Sequence, residues 1–173
     1  GIRDKRVTGV QTCALPISAA LAAGCRDPQA GPGRLSGLGY LPVYRVARAA
    51  GPIEVDGRLD EPAWREALQM PLLDSLTGQS PRHPTVARVL RDDRHLYVAF
   101  DCRDDQVLVR PDRRHDDALW EDEVVEVFLD PSGAGRDYVE VEVSPAGTTF
   151  DARFASWRSD LEQIGRASCR ERV

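Results

Sequence analysis

Two residues six positions apart, Trp120 and Glu126, define the most specific chemistry in this chain. An indole offers a flat apolar face, which serves either as core packing or as a platform for a flat ligand. Glu126 stands between Val124 and Phe128 on one side of an alternating segment. A carboxylate among hydrophobes is costly unless something pairs with it, and Arg153 or Arg88 on a neighbouring strand would be that partner. Further acids (Asp101, Asp104, Asp105, Asp116, Asp117, Glu121, Asp122, Glu123) bracket one loop. Calcium takes six to eight oxygen ligands, so this density is compatible with a structural calcium, with Asp101, Asp104 and Asp122 as candidate ligands. Arg103, Arg110, Arg113 and Arg114 in the same stretch offer the alternative, neutralising those acids as ion pairs. His83, His95 and His115 stand at unrelated spacings, with no Ser/His/Asp arrangement, phosphate loop or zinc spacing. No residue is therefore assigned a catalytic role, and the domain reads as non-catalytic.

The elements that position these residues are strands. Trp120 opens the stretch LWEDEVVEVFLDP (119–131), in which Val125, Val127 and Leu129 alternate with Val124, Glu126 and Phe128. A hairpin precedes it: Thr85 to Arg91, a turn at Asp92-Asp93-Arg94, then His95 to Cys102. Leu96, Val98, Phe100 and Cys102 share one face there, which makes Cys102 a small core residue, and Tyr97, Ala99 and Asp101 share the other. A turn at 132–135 leads to a strand with Val139, Val141 and Val143 opposite Tyr138, Glu140 and Glu142, and Thr148 to Phe154 returns as another. Nearer the start, Val43 to Ala47 and Ile53 to Val55 are short strands. LDEPAWREAL (59–68) is a short helix capped by Asp60, with Trp64, Ala67 and Leu68 on its buried face. Residues 69–84 carry three prolines and no period, which predicts loop. The pattern as a whole predicts an all-β fold, an antiparallel β-sandwich with one short N-terminal helix.

Composition sets bounds on the rest. The 173 residues suffice for one domain with its own core, and no run approaches a membrane span. The two ends, 1–17 and 163–173, resemble translated sequencing-adapter read-through of the kind found in metagenomic assemblies, and they lack a periodicity that would fold. They hold six of the 23 basic residues and two of the 28 acidic ones, so the remainder carries a net charge of −9. That excess argues against nucleic acid as a partner, since phosphate binding needs a basic face. Lys5 is the only lysine, and arginine without lysine suggests a GC-rich bacterial genome. Residues 18–25, SAALAAGC, resemble the end of a bacterial lipoprotein signal, which makes Cys25 the lipidated first residue of the mature chain. Residues 26–40 are glycine- and proline-rich and read as a flexible tether, leaving 41–162 as the folded domain. A lipid anchor in the bacterial cell envelope, on its periplasmic or extracellular face, is the expected location.

Four segments in order carry a family resemblance: IEVDGRLDEPAW (53–64), VLRDDRHLYVAFDCRD (89–104), LWEDEVVEVFLDP (119–131) and DYVEVEVSPAGTTFDARF (137–154). Together they resemble the carbohydrate-binding module family 9-like domains, β-sandwiches of the DOMON-like type. The resemblance implies saccharide or polysaccharide binding without covalent chemistry, structural calcium, and a glycoside hydrolase as fused or partner domain. It places Trp120 as one stacking tryptophan of a two-tryptophan clamp and Glu126 as the glutamate that accepts hydroxyl hydrogen bonds. Glu142 stands where the family pattern carries arginine. The second tryptophan belongs to the family's last third, whose strands this chain is expected to lack; Trp157 is not placed there by the motif. Two other functions fit such a sandwich. One is a structural or protein-interaction domain of an envelope lipoprotein that has lost the sugar site. The other is a haem-binding electron-transfer domain, disfavoured because Met70 is the only methionine and the credible chain has no lysine.

Overall fold

A computed structural model describes residues 7–16, 44–156, 161–163 and 168–172, with side chains over 44–156. Cys25, the tether and Trp157 lie outside the described residues. Ten strands and one short helix follow in chain order: β1 Val7–Pro16, β2 Ala47–Arg48, α1 Pro62–Glu66, β3 Gln69–Pro71, β4 Thr85–Arg91, β5 His95–Asp104, β6 Val125–Leu129, β7 Arg136–Val143, β8 Thr149–Ser156, β9 Leu161–Gln163 and β10 Ser168–Arg172. They form two sheets, ordered β10-β1-β5-β4-β2 and β6-β7-β8-β9, in which nearly every pairing is antiparallel. The expected all-β sandwich is what the chain forms.

The hairpin β4–β5 is the best-determined element in physical terms. Its turn is closed by Asp92, whose Oδ1 accepts from the backbone N–H groups of Arg94 and His95, both at 2.6 Å. Asp92 Oδ2 also accepts from the Tyr97 hydroxyl at 2.7 Å. The period-2 alternation then divides β5 between two cores. Val98 and Phe100, with Leu96 and Cys102, pack with Val125, Val127, Leu129, Val139 and Val141 between the sheets. Tyr97 and Ala99 face the other way and are roofed by Ala63, Trp64 and Ala67 with Ile53, Val55 and Leu59. Trp64 is 3% exposed, so its expected burial is met.

Several local expectations are corrected. The helix is a single turn preceded by Glu61 rather than capped by Asp60, and no side-chain cap closes it. Glu61 instead accepts the backbone N–H of Glu54 through Oε1 at 2.8 Å. Because Ala67 is already extended, Leu68 turns outward and is 50% exposed. Residues 53–55 are not a strand, and the strand expected from 43 to 47 shrinks to β2. Within 69–84, β3 adds antiparallel to Val86–Arg88, while β2 adds parallel to Leu90–Arg91, so both share one edge of β4.

The expectation that both chain ends lack a pattern able to fold is corrected as well. β1 pairs along the whole of β5, and β10 pairs with β1. An open edge recruits main-chain N–H and C=O groups and asks no side-chain periodicity of the strand it recruits. In the second sheet, Val141 and Val143 are 2% and 1% exposed, while Val125, Val127, Leu129 and Val139 remain half-buried. The edge strand β6 and the start of β7 thus hide less of their apolar face than the alternation alone would predict.

Candidate functional site

The site begins with the loop that carries Trp120. Residues 113–122 would hang free beside the second sheet were they not stapled to the start of β8. The Asp116 N–H donates to the Thr149 carbonyl at 3.1 Å, and the Thr148 hydroxyl donates to the Arg113 carbonyl at 3.4 Å. His115 places Nδ1 2.8 Å from the same Thr149 carbonyl and 3.0 Å from the Thr149 hydroxyl. That leaves Nε2 facing Asp116 and Asp151 at 3.4 and 3.9 Å. Asp116 adopts a left-handed backbone conformation, φ 67°, which the staple holds in place.

A 3-10 turn, Leu119–Glu121, then drives Leu119 into a small core with Phe150 and Ala152 and turns Trp120 outward. Trp120 is 50% exposed. Its ring meets Phe150 edge to face, centroids 5.3 Å apart at 78°. An indole fixed on one side by a buried ring and open on the other is a platform whose orientation does not depend on ligand. Trp120 and Glu126 line one open cavity of about 420 Å³, together with His83, Arg103, Asp104 and Pro145.

The charged groups around the cavity are engaged in separate local pairs. Asp122 is bound by Arg113 at 2.5 Å and by Arg110 at 3.4 Å, and Arg113 also reaches Glu121 at 3.2 Å. These two carboxylates raise the Arg113 pKa further, Asp122 contributing most. Glu123 accepts the Leu108 N–H at 3.0 Å and ties down the other limb of the loop. Asp104 accepts the Gln106 N–H, which holds its carboxyl below the usual range, and lies 3.4 Å from His83. Asp101, Asp104 and Asp122, the calcium candidates from sequence, are therefore not brought together as a ligand set. Arginine takes Asp122, as the alternative expectation had it.

The partner expected for Glu126 is also corrected. Arg153 lies on the inward-facing side of β8, paired in register with Val139, and reaches Asp137 at 3.8 Å. Arg88 is on the other sheet. The residue opposite Glu126 across the β6–β7 ladder is Glu142, and Glu140 lies two residues along the same face. The three offer carboxylate oxygens that all lie within 4.8 Å of one another. Glu142 is fully buried, and the Glu140 carboxyl is the polar group within its reach on the same strand. Burial first, then the charges of Glu126 and Glu140, raise its pKa to about 8. Burial and Glu126 raise Glu140 in the same direction. Sequence reasoning placed Glu142 on an outward strand face and could not foresee that the loop and β8 would cover it.

Residues 55–153 match the family model described as carbohydrate family 9 binding domain-like. The chain belongs to that family. The match spans the hairpin, the Trp120 loop, strands β6 and β7 and the first part of β8, so every residue of the cavity described above falls within it. No curated protein and no solved structure matched the chain. A family of carbohydrate-binding domains fits a half-exposed tryptophan beside an acceptor carboxylate. Met70 packs against the inter-sheet core.

Proposed function

We propose that this domain binds saccharides reversibly and without catalysis, stacking a sugar ring on Trp120 while Glu126 accepts hydrogen bonds from its hydroxyls. One observation carries the reading. Trp120 is presented to solvent by a stapled loop, braced edge-on by Phe150, and shares its cavity with Glu126. A pyranose presents an apolar C–H face and a rim of hydroxyls, and such a site needs a flat apolar surface with few, fixed polar groups. The wider setting follows from the sequence: lipidation at Cys25, residues 26–40 as a tether, and the folded domain held off the envelope surface. A glycoside hydrolase, fused or separate, is the partner such a module would serve, delivering substrate rather than cleaving it.

Calorimetric titration of the full chain with mono- and disaccharides tests this. Binding is expected, with Trp120→Ala weakening it by roughly tenfold or more, the equivalent of about 1.4 kcal/mol. Failure of every sugar to bind, or unchanged affinity in the variant, would favour a second reading, an interaction domain of an envelope protein. That reading draws support from Glu142, an acid where the family pattern carries arginine, so the positive charge expected beside Glu126 is missing.

A further inference from the structure

We propose that the sugar taken by the Trp120 cavity is a cationic amino sugar, its ring on Trp120 and its free ammonium paired with Glu126. This rests on the saccharide reading above and names the class of sugar. Four carboxylates, Asp104, Asp122, Glu123 and Glu126, line the cavity, and Arg103 is its one arginine among the described residues. Three of the four are engaged within the protein. Asp122 is bound by Arg113 and Arg110, Asp104 lies against His83, and Glu123 accepts the Leu108 N–H. Glu126 is exposed and stands outside these pairs.

Position 142 decides what Glu126 meets from behind. Glu142 is registered directly across from Glu126, where the family pattern carries arginine. An arginine there would offset the charge of Glu126 and present N–H donors to a ligand. Glu142 does neither, because its carboxyl is hydrogen-bonded to that of Glu140 on the same strand. Two carboxyl groups join only through a proton, so the proton there is spent between them. The other residues registered against Glu140 and Glu142 are Phe128, Ala152 and Phe150, none of them charged. This corner of the site therefore offers acceptors and negative charge.

What the corner lacks, a ligand can bring. A sugar hydroxyl donates one hydrogen bond to Glu126 and leaves its charge uncompensated. An ammonium donates three and carries the opposite charge. Acceptors about 2.8 Å from one ammonium nitrogen, along its tetrahedral donor directions, stand about 4.6 Å apart. The oxygens of Glu126, Glu140 and Glu142 lie within 4.8 Å of one another, so Glu126 and Glu140 suit two of those directions. A sugar bearing a carboxylate is disfavoured by the same charges, and N-acetylation removes the cation.

The test is calorimetric titration of the full chain at about pH 6, where a sugar amine is protonated. The ligands are D-glucosamine, D-glucose, N-acetyl-D-glucosamine and ethanolamine, each at low and at high salt. Glucosamine is expected to bind roughly tenfold or more tightly than glucose or N-acetylglucosamine, with the advantage shrinking at high salt. Ethanolamine, an ammonium without a ring, is expected not to bind. Glu126 is exposed, so Glu126→Gln keeps the shape and should fold. That variant is expected to bring glucosamine level with glucose, while Trp120→Ala weakens both. Glucose binding as tightly as glucosamine overturns the proposal and leaves the saccharide reading in place. Ethanolamine binding as well as glucosamine overturns it too, since charge alone would then suffice. If no sugar binds, the saccharide reading fails and the amino-sugar proposal with it.

Discussion

Glu142 has a measurable consequence that does not depend on any ligand. Its pKa rises from the ordinary glutamate value of 4.5 to about 8 in the folded chain. Between these values the native state holds a proton that the unfolded state has released. Stability therefore falls as pH climbs from about 4.5 through 8, and levels off above. In EDTA, urea denaturation of the wild type should trace that decline, while Glu142→Gln should remove most of it. At pH 8 and above the variant is expected to be more stable than the wild type by about 2–4 kcal/mol. Asp92 shows the opposite sign. Hydrogen bonds from Tyr97 and from the turn backbone hold its carboxyl well below the usual range, so its contribution is present at neutral pH and lost in acid. Asp92→Asn should lower the melting temperature at pH 7 and leave it less sensitive to acidification below pH ~4. Neither residue's role follows from its type alone. Asp92 was legible as a turn residue because an acid at a hairpin bend has a local job, whereas the burial of Glu142 depends on a loop distant in sequence.

Between the strands and the site stand two supporting elements, the loop 113–122 and the start of β8. Phe150 is 1% exposed and meets Leu119 in the small outer core as well as the edge of Trp120. Phe150→Ala should cost about 3–5 kcal/mol in urea unfolding. Phe150→Leu keeps much of the volume and should spare the fold, while loosening Trp120 and lowering saccharide affinity. A selective loss of that kind would separate bracing from packing. At this scale the sequence was informative wherever alternation was strong. The β4–β5 hairpin, with Thr85–Arg91 as predicted, and the valine face of β7 lie where the period of two places them. It was silent where pairing is made by backbone alone. β3 sits in a proline-rich stretch with no period and still adds to β4, because the free edge there supplied the donors and acceptors. The staple of His115 and Asp116 onto Thr149 was equally hidden, since it joins residues more than thirty apart whose types are common on any surface.

At the scale of the whole molecule, the two sheets manage their edges differently. In the first sheet, β1 covers the far side of β5 along its length. Removing residues 1–17 should leave the core between the sheets in place, yet expose a ten-residue edge at β5. The shortened protein is expected to unfold at a lower temperature and to self-associate, visible as a concentration-dependent shift in light scattering. Unchanged melting and scattering would mean that β1 contributes nothing to the stability of this edge. The two outer faces of the sandwich differ as well. The first sheet is roofed by the segment that carries Trp64, which closes that side with apolar packing. The second sheet is left with Phe128 at 54% exposure, Tyr138 and Phe154 stacked beside it, and the glutamate cluster next in line. Such a molecule has a front and a back. Immobilised through the roofed side, it presents its aromatic and acidic features to solution; immobilised through Phe128, it hides them. How the domain is mounted on a surface therefore decides what it can meet there.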